Sequence, residues 1–194
     1  MISTAELVVG FNNLLSDLRM KTNASRTTLR LEDAGRGFQI DGVVAESFAP
    51  GIKPNVAETS LQQRNSLTAE YLRQHRQVLV QNDCLNASLQ FPDELMRIYG
   101  TKAQMIAPIV RPDEMVVGWI AVHHDESARQ WTREDVVALE AAVDATQKAM
   151  DAIAATGPGP SPEVQTEVPA PEAPVDSARL HATKKVPEPD SMGG

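Results

Sequence analysis

Residues Met115–Ala142 read MVVGWIAVHHDESARQWTREDVVALEAA, and the way this stretch divides decides the fold. An apolar run ends in two histidines, and a polar turn, a tryptophan and a helix start follow. Side chains alternate along a strand, so Trp119, Ala121 and His123 share one face while Ile120, Val122 and His124 share the other. The two histidines therefore cannot chelate one ion, and they lack the His-x-x-x-His spacing of a helical metal site. Thr132 is a good N-cap, with Asp135 three residues on as a variant capping box and Glu134 suiting the helix dipole. Val136, Leu139, Val143, Thr146, Met150 and Ile153 then recur at three and four residues, which predicts an amphipathic helix. The same stripe suits a seam between two helices.

Upstream, QMIAPIV (104–110) and the apolar run are joined by the turn RPDE (111–114) and read as a hairpin of buried strands. QVLVQND (77–83) is a short strand, and Pro92 in FPDELMRIYG opens a short helix that Gly100 ends. Residues 58–74 are good helix formers, with Leu61, Thr68 and Leu72 on one side and Leu67, Tyr71 and His75 beside them. SRTTLRLED (25–33) alternates, and with GFQIDGVVAES (37–47) it reads as a β-hairpin turning at Ala34–Gly37. Val8, Phe11, Leu15 and Leu18, widened by Leu7 and Leu14, mark a first helix with a broad apolar face. The order is that of an α+β domain built on one antiparallel sheet.

Composition changes at Gly157. GPGPSPEVQTEVPAPEAPVD (157–176) is rich in proline and glutamate and has almost no large apolar side chains, so it cannot offset its ordering entropy. The expected organisation is a domain over residues 1–156 and a disordered Pro/Glu-rich tail over 157–194. The net charge of −8 offers no basic patch for phosphate, so neither nucleic acid nor an anionic membrane surface is an expected partner. The N-terminus lacks a basic, then apolar, leader pattern, and no apolar run reaches the roughly 18 residues of a membrane span, so a cytoplasmic location is expected. A single cysteine, Cys84, rules out an internal disulfide and a cysteine metal site.

VLVQND, YGTKAQMIAPIV, MVVGWIAVHH and the capped helix after a tryptophan resemble the second half of a GAF domain. The resemblance spans about Ile2 to Ala155 and is strongest from Val78 onward. It implies a central antiparallel sheet with the N- and C-terminal helices on one face and a ligand pocket on the other. The pocket wall would come from Glu58–His75 and Asp83–Tyr99. Its floor would come from Thr28, Arg30, Met105, Ala107, Trp119, Ala121 and His123. Candidate ligand-binding residues are thus Thr28, Arg30, Tyr71, His75, Tyr99, Trp119 and His123, and no metal site is expected. Arg30 needs a partner, either Glu32, Asp41, Glu46 or a ligand's carboxylate or phosphate.

Phytochrome-like GAF domains are similar in carrying a paired histidine at a strand end, but they bind bilin through a cysteine. Cys84 does not lie beside His123 and His124, so neither bilin nor haem is expected as a cofactor. The resemblance and the residues together imply a stand-alone sensory or binding module. It would take a small, anionic or aromatic metabolite, form a homodimer through the terminal helices, and signal through an effector partner. Two other readings stay open. One is an enzyme acting on a small carboxylate, with His123 as acid or base, Arg30 as anchor and Cys84 as a thiol. The other is a partner-binding scaffold whose pocket is merely core.

Overall fold

The computed structural model describes residues 2–56, 62–89 and 100–155, which lie in one compact unit, Met1–Gly157. The tail, the short helix after Pro92, Tyr99 and the start of the predicted middle helix at 58–61 fall outside the described residues.

Helix α1 (Thr4–Lys21) opens with a capping box: the Ser3 hydroxyl accepts from the Glu6 amide and the Glu6 carboxylate accepts from the Ser3 amide. Strand β1 (Arg26–Leu31) pairs antiparallel with β2 (Ala45–Phe48) and β5 (Val116–His124). Strands β4 (Ala103–Val110) and β3 (Leu79–Gln81) complete the order β2-β1-β5-β4-β3 among the described residues. Helix α2 (Leu67–His75) precedes β3, and α3 (Arg133–Ala155) follows β5. The β1–β2 connection is not the tight hairpin the sequence suggests. Asp33 caps a 3-10 turn at Ala34–Arg36 and bridges to Phe38, but β2 begins only at Ala45.

Helices α1 and α3 cover one sheet face. Leu7, Phe11, Leu15 and Leu18 of α1 and Leu139 and Ala142 of α3 join Leu29, Leu31, Met105, Ala107, Ile120 and Val122 in the main core. Met105 pairs with Val122 and Ala107 with Ile120, so both point at the helices and not at the pocket floor. The register corrects the expectation, because every residue of that strand but the last is buried and its pattern does not mark its inner face. Gln104, Ile106 and Pro108 take the floor positions instead.

The α1 and α3 helices are fastened by Arg129. Its guanidinium donates to the carbonyls of Thr22 and Asn23 at the end of α1 (2.8 and 3.1 Å) and to Asp135 at the start of α3 (3.2 Å). It also lies 4.2 Å over the Trp131 ring. Asp135 and Thr132 meanwhile complete the predicted capping box. The Arg129 and Trp131 backbones and the Trp131 indole bond Asn82 and Gln81 at the end of β3. Arg129→Ala is expected to cost about 2 kcal/mol, read as a lower urea midpoint at unchanged slope. Arg129→Lys should recover only a minor part, since an ammonium cannot serve both helix ends through a planar fork.

Candidate functional site

The face opposite α1 and α3 divides in two. Toward Leu79, Ile40, Leu72, Ile106, Trp119 and Ala121 form a second, smaller apolar cluster beneath α2. Trp119 is only 3% exposed there, so its ring packs in this cluster and is not an open wall. Tyr71 is partly buried against the same cluster, and its ring lies 4.3 Å from that of the exposed His75. His75 thus stays at the rim.

The other half of the face is polar and buried. Arg26 pairs across the sheet with His123, Thr28 with Ala121 and Arg30 with Trp119, which places the three β1 side chains on the floor by strand parity. Gln104 sits on the far side of His123. Its amide donates to Gln81 at 2.5 Å, and Gln81 donates in turn to the Leu89 carbonyl at 2.7 Å. Thr28 and Arg30, both expected here, are buried.

Arg30 donates to the backbone carbonyls of Asp41 (2.6 Å) and Ile40 (3.4 Å). Of the acids expected to pair with it, Glu32 and Asp41 go to Arg64 instead, and Glu46 lies 3.4 Å from Arg26. Arg26 is the residue the sequence reading passed over. It is 2% exposed, lies 3.3 Å from Asp125 and donates to the Lys53 carbonyl at 2.9 Å. Its parity with Thr28 and Arg30 in SRTTLRLED was the signal that could have found it.

His123 sits in the field of both arginines. Burial first, then the charges of Arg26 and Arg30, push its pKa down to about 3, so the ring is neutral over the physiological range. A group with that pKa is a weak base and no reservoir of protons near neutrality. This weighs against the enzymatic reading that used it as acid or base. His124 points to the opposite face, where its Nδ1 lies 3.0 Å from the Ser127 carbonyl.

Cys84 is buried, and burial together with the nearby Asp83 and Asp125 charges pushes its thiol up to about 12. At pH 8 roughly one molecule in ten thousand would carry the thiolate, which is the reactive form. Ellman's reagent is expected to leave the native protein unlabelled over minutes and to titrate one thiol in urea. Rapid labelling of the folded chain would show the thiol to be accessible.

No curated protein matches the chain in sequence. The GAF domain profile matches residues 6–150. Among solved structures, the blue-light absorbing form of the PixJ GAF domain of Thermosynechococcus elongatus superimposes with a TM-score of 0.62 at 16% identity, over 80% of this chain and 94% of that one. The chromophore-binding domain of an unusual bacteriophytochrome from R. palustris gives 0.60 at 18%, over 79% and 58%. The GAF domain region of a putative membrane protein from Geobacter sulfurreducens PCA gives 0.59 at 18%, over 77% and 95%. Identities this low carry the fold alone.

They do overturn one expectation. Bilin was set aside because Cys84 is poorly placed, yet cyanobacteriochrome and bacteriophytochrome domains are prominent among the folds that match. The placement of Cys84 bears on covalent attachment only, and non-covalent binding needs no thiol. On the sequence match over residues 6–150 and the sheet and helix order described above, the chain belongs to the GAF domain family.

Proposed function

We propose that this GAF domain is a sensory module that binds a small, planar, anion-bearing molecule on the polar half of its sheet and signals through a partner. One observation carries the reading: Arg26, Thr28, Arg30 and Gln104 are all buried on one face around a neutral histidine. Buried guanidinium groups are costly unless paired, and such arrangements concentrate where ligands bind. Arg30 would hold the carboxylate with Thr28 beside it, His123 would contribute one hydrogen bond, and Tyr71 would supply apolar wall. Trp119 would line the site from within the cluster that supports it.

A bilin fits this description, as a conjugated molecule with carboxylates, and the chromophore-bearing neighbours favour testing it. Arg26 and Arg30 are the residues here that could face its acid groups. When bound it would supply light absorption. The buried, high-pKa Cys84 is unsuited to forming the bond that would fix it covalently.

The outer sides of α1 and α3 carry the exposed Val9, Met20 and Val137, and we propose that a homodimer forms through these helices. No helix among the described residues is long and apolar enough to cross a membrane.

The test is a thermal-shift and absorbance series with biliverdin, aromatic acids and small dicarboxylates. A ligand that binds only the folded state raises the melting temperature by mass action. Stabilisation that disappears in Arg30→Ala supports the reading, and a bilin would add a visible band. No stabilisation by any of these compounds would leave the scaffold reading in its place. Turnover of a binder would move the assignment to an enzyme.

A further inference from the structure

Five buried side-chain polar atoms make no hydrogen bond among the described residues: Arg26 Nε, which has the Glu46 carboxylate 3.4 Å away as an ion pair, Arg26 Nη1, Thr101 Oγ1, His123 Nδ1 and Asp125 Oδ1. They belong to four residues gathered at one end of the sheet. Arg26 faces His123 in register and lies 3.3 Å from the other oxygen of Asp125. Lys102, next to Thr101, donates its amide to the His124 carbonyl at 2.8 Å, which brings Thr101 alongside the end of β5. The Thr101 hydroxyl is close enough to favour the Asp125 carboxylate, but it does not reach hydrogen-bond geometry. Native proteins pair nearly all such groups, and five failures in one place call for a physical cause.

Their chemistry is mixed. The two Arg26 nitrogens only donate, Asp125 Oδ1 as a carboxylate only accepts, and the Thr101 hydroxyl and neutral His123 ring can present either role. Glu46 and Asp125 already flank the guanidinium of Arg26, while the charges of Lys102 and Arg30 act on Asp125 and His123 from farther off. Burial raises the Asp125 pKa, with the Arg26 charge opposing it. An added carboxylate would meet two others, whereas a neutral group would not. His123 and Asp125 are mostly buried, the Asp125 side chain 10% exposed, and they form the least covered side of the cluster.

We propose that Arg26, Thr101, His123 and Asp125 form a subsite for a carboxamide edge, with Arg26 donating to the ligand carbonyl and Asp125 accepting from its N–H. This rests on the sensory-pocket reading and divides its ligand: an acid group belongs near Arg30, and a neutral amide belongs near Arg26.

The test uses three probes of one shape, nicotinamide, nicotinate and N,N-dimethylnicotinamide, titrated into the full chain and followed by amide proton–nitrogen spectra. Nicotinamide is expected to shift the signals of residues 25–27 and 123–125 saturably, with an affinity on the order of millimolar for so small a probe. The dimethyl compound keeps the carbonyl and loses the N–H, so it should bind about tenfold more weakly. Nicotinate should be weaker by a similar factor. Arg26→Lys should reduce the nicotinamide affinity, and Asp125→Asn, which keeps the side chain's size, gives the same test if the lysine variant does not fold.

The subsite is overturned if nicotinamide causes no saturable shift, if nicotinate binds as well or better, or if neither variant changes the affinity. Failure of the broader reading looks different. There, nicotinamide binds at residues 25–27 and 123–125 while no planar acid stabilises the protein through Arg30.

Discussion

Gly118→Ala is expected to lower the melting temperature by roughly 6–12 °C, the equivalent of about 3 kcal/mol for a domain of this size. A Cβ on Gly118 would stand 2.2 Å from the Arg30 carbonyl oxygen and 2.9 Å from a Leu31 methyl. The first contact is with backbone that no rotamer can move. Gly118 faces Leu31 in the β1–β5 register, and the neighbouring Glu32 amide donates to Val117 at 2.7 Å, so the two strands cannot part locally without losing the pairing. Arg30 would be displaced together with its carbonyl, and the damage should therefore reach ligand binding as well as stability. A variant melting within about 2 °C of the parent would show that the strands can separate here at little cost, against the overpacking argument.

The second large effect is with pH. His123 titrates near 3 in the folded protein against 6.5 in an ordinary environment. Between these values the unfolded chain takes up a proton that the folded chain refuses, so stability is lost as pH falls from about 6.5 toward 3 and is fully present above. The loss should be on the order of 3 kcal/mol, after discounting for relaxation and water entry at the ring. Asp125, whose pKa is raised, acts in the opposite sense: acidification across its window favours the folded state. The charged neighbours of the ring on β1 are Arg26 and Arg30, and the neighbour across the other strand is the neutral amide of Gln104. Urea midpoints measured across this range should fall steeply in the parent, and the slope should flatten in His123→Gln. A slope unchanged by that substitution would place the acid sensitivity elsewhere.

The elements readable from sequence are those with one apolar and one polar face. In α1 and α3 the three-and-four spacing of Phe11, Leu15 and Leu18, and of Leu139, Val143 and Thr146, marks the core side because the other side is polar. In β1 the alternation of Leu29 and Leu31 with Thr28 and Arg30 does the same, and the opposition of His123 and His124 follows from parity. Strand β4 offers no such contrast. With apolar side chains on both faces, only pairing with β5 decides that Ile106 lies on the pocket side and Met105 does not.

The site was less legible for a related reason. A charge pattern shows which residues need partners, not which partners they take. Glu32, Asp41 and Glu46 were all suitable for Arg30, but the chain path of the β1–β2 loop brings Arg64 to the first two and leaves Glu46 beside Arg26. Carbonyls of that same loop reach Arg30, and backbone partners leave no mark in a sequence.

The Arg129 fastening has a mechanical consequence. It holds the last turn of α1 against the first turn of α3, so these two helices run in opposite directions and are pinned at the Arg26 end of the sheet. Toward their other ends, at Ser3 and Ala155, Leu7 and Ile153 join the core and Gln147 donates to the Val110 carbonyl at 2.7 Å. A strain arising at β3 reaches the Arg129 fastening directly through Asn82. Arg129 therefore ties the edge of the sheet to both terminal helices at once, and a displacement of β3 would be shared by the two helices through which the chain enters and leaves the domain.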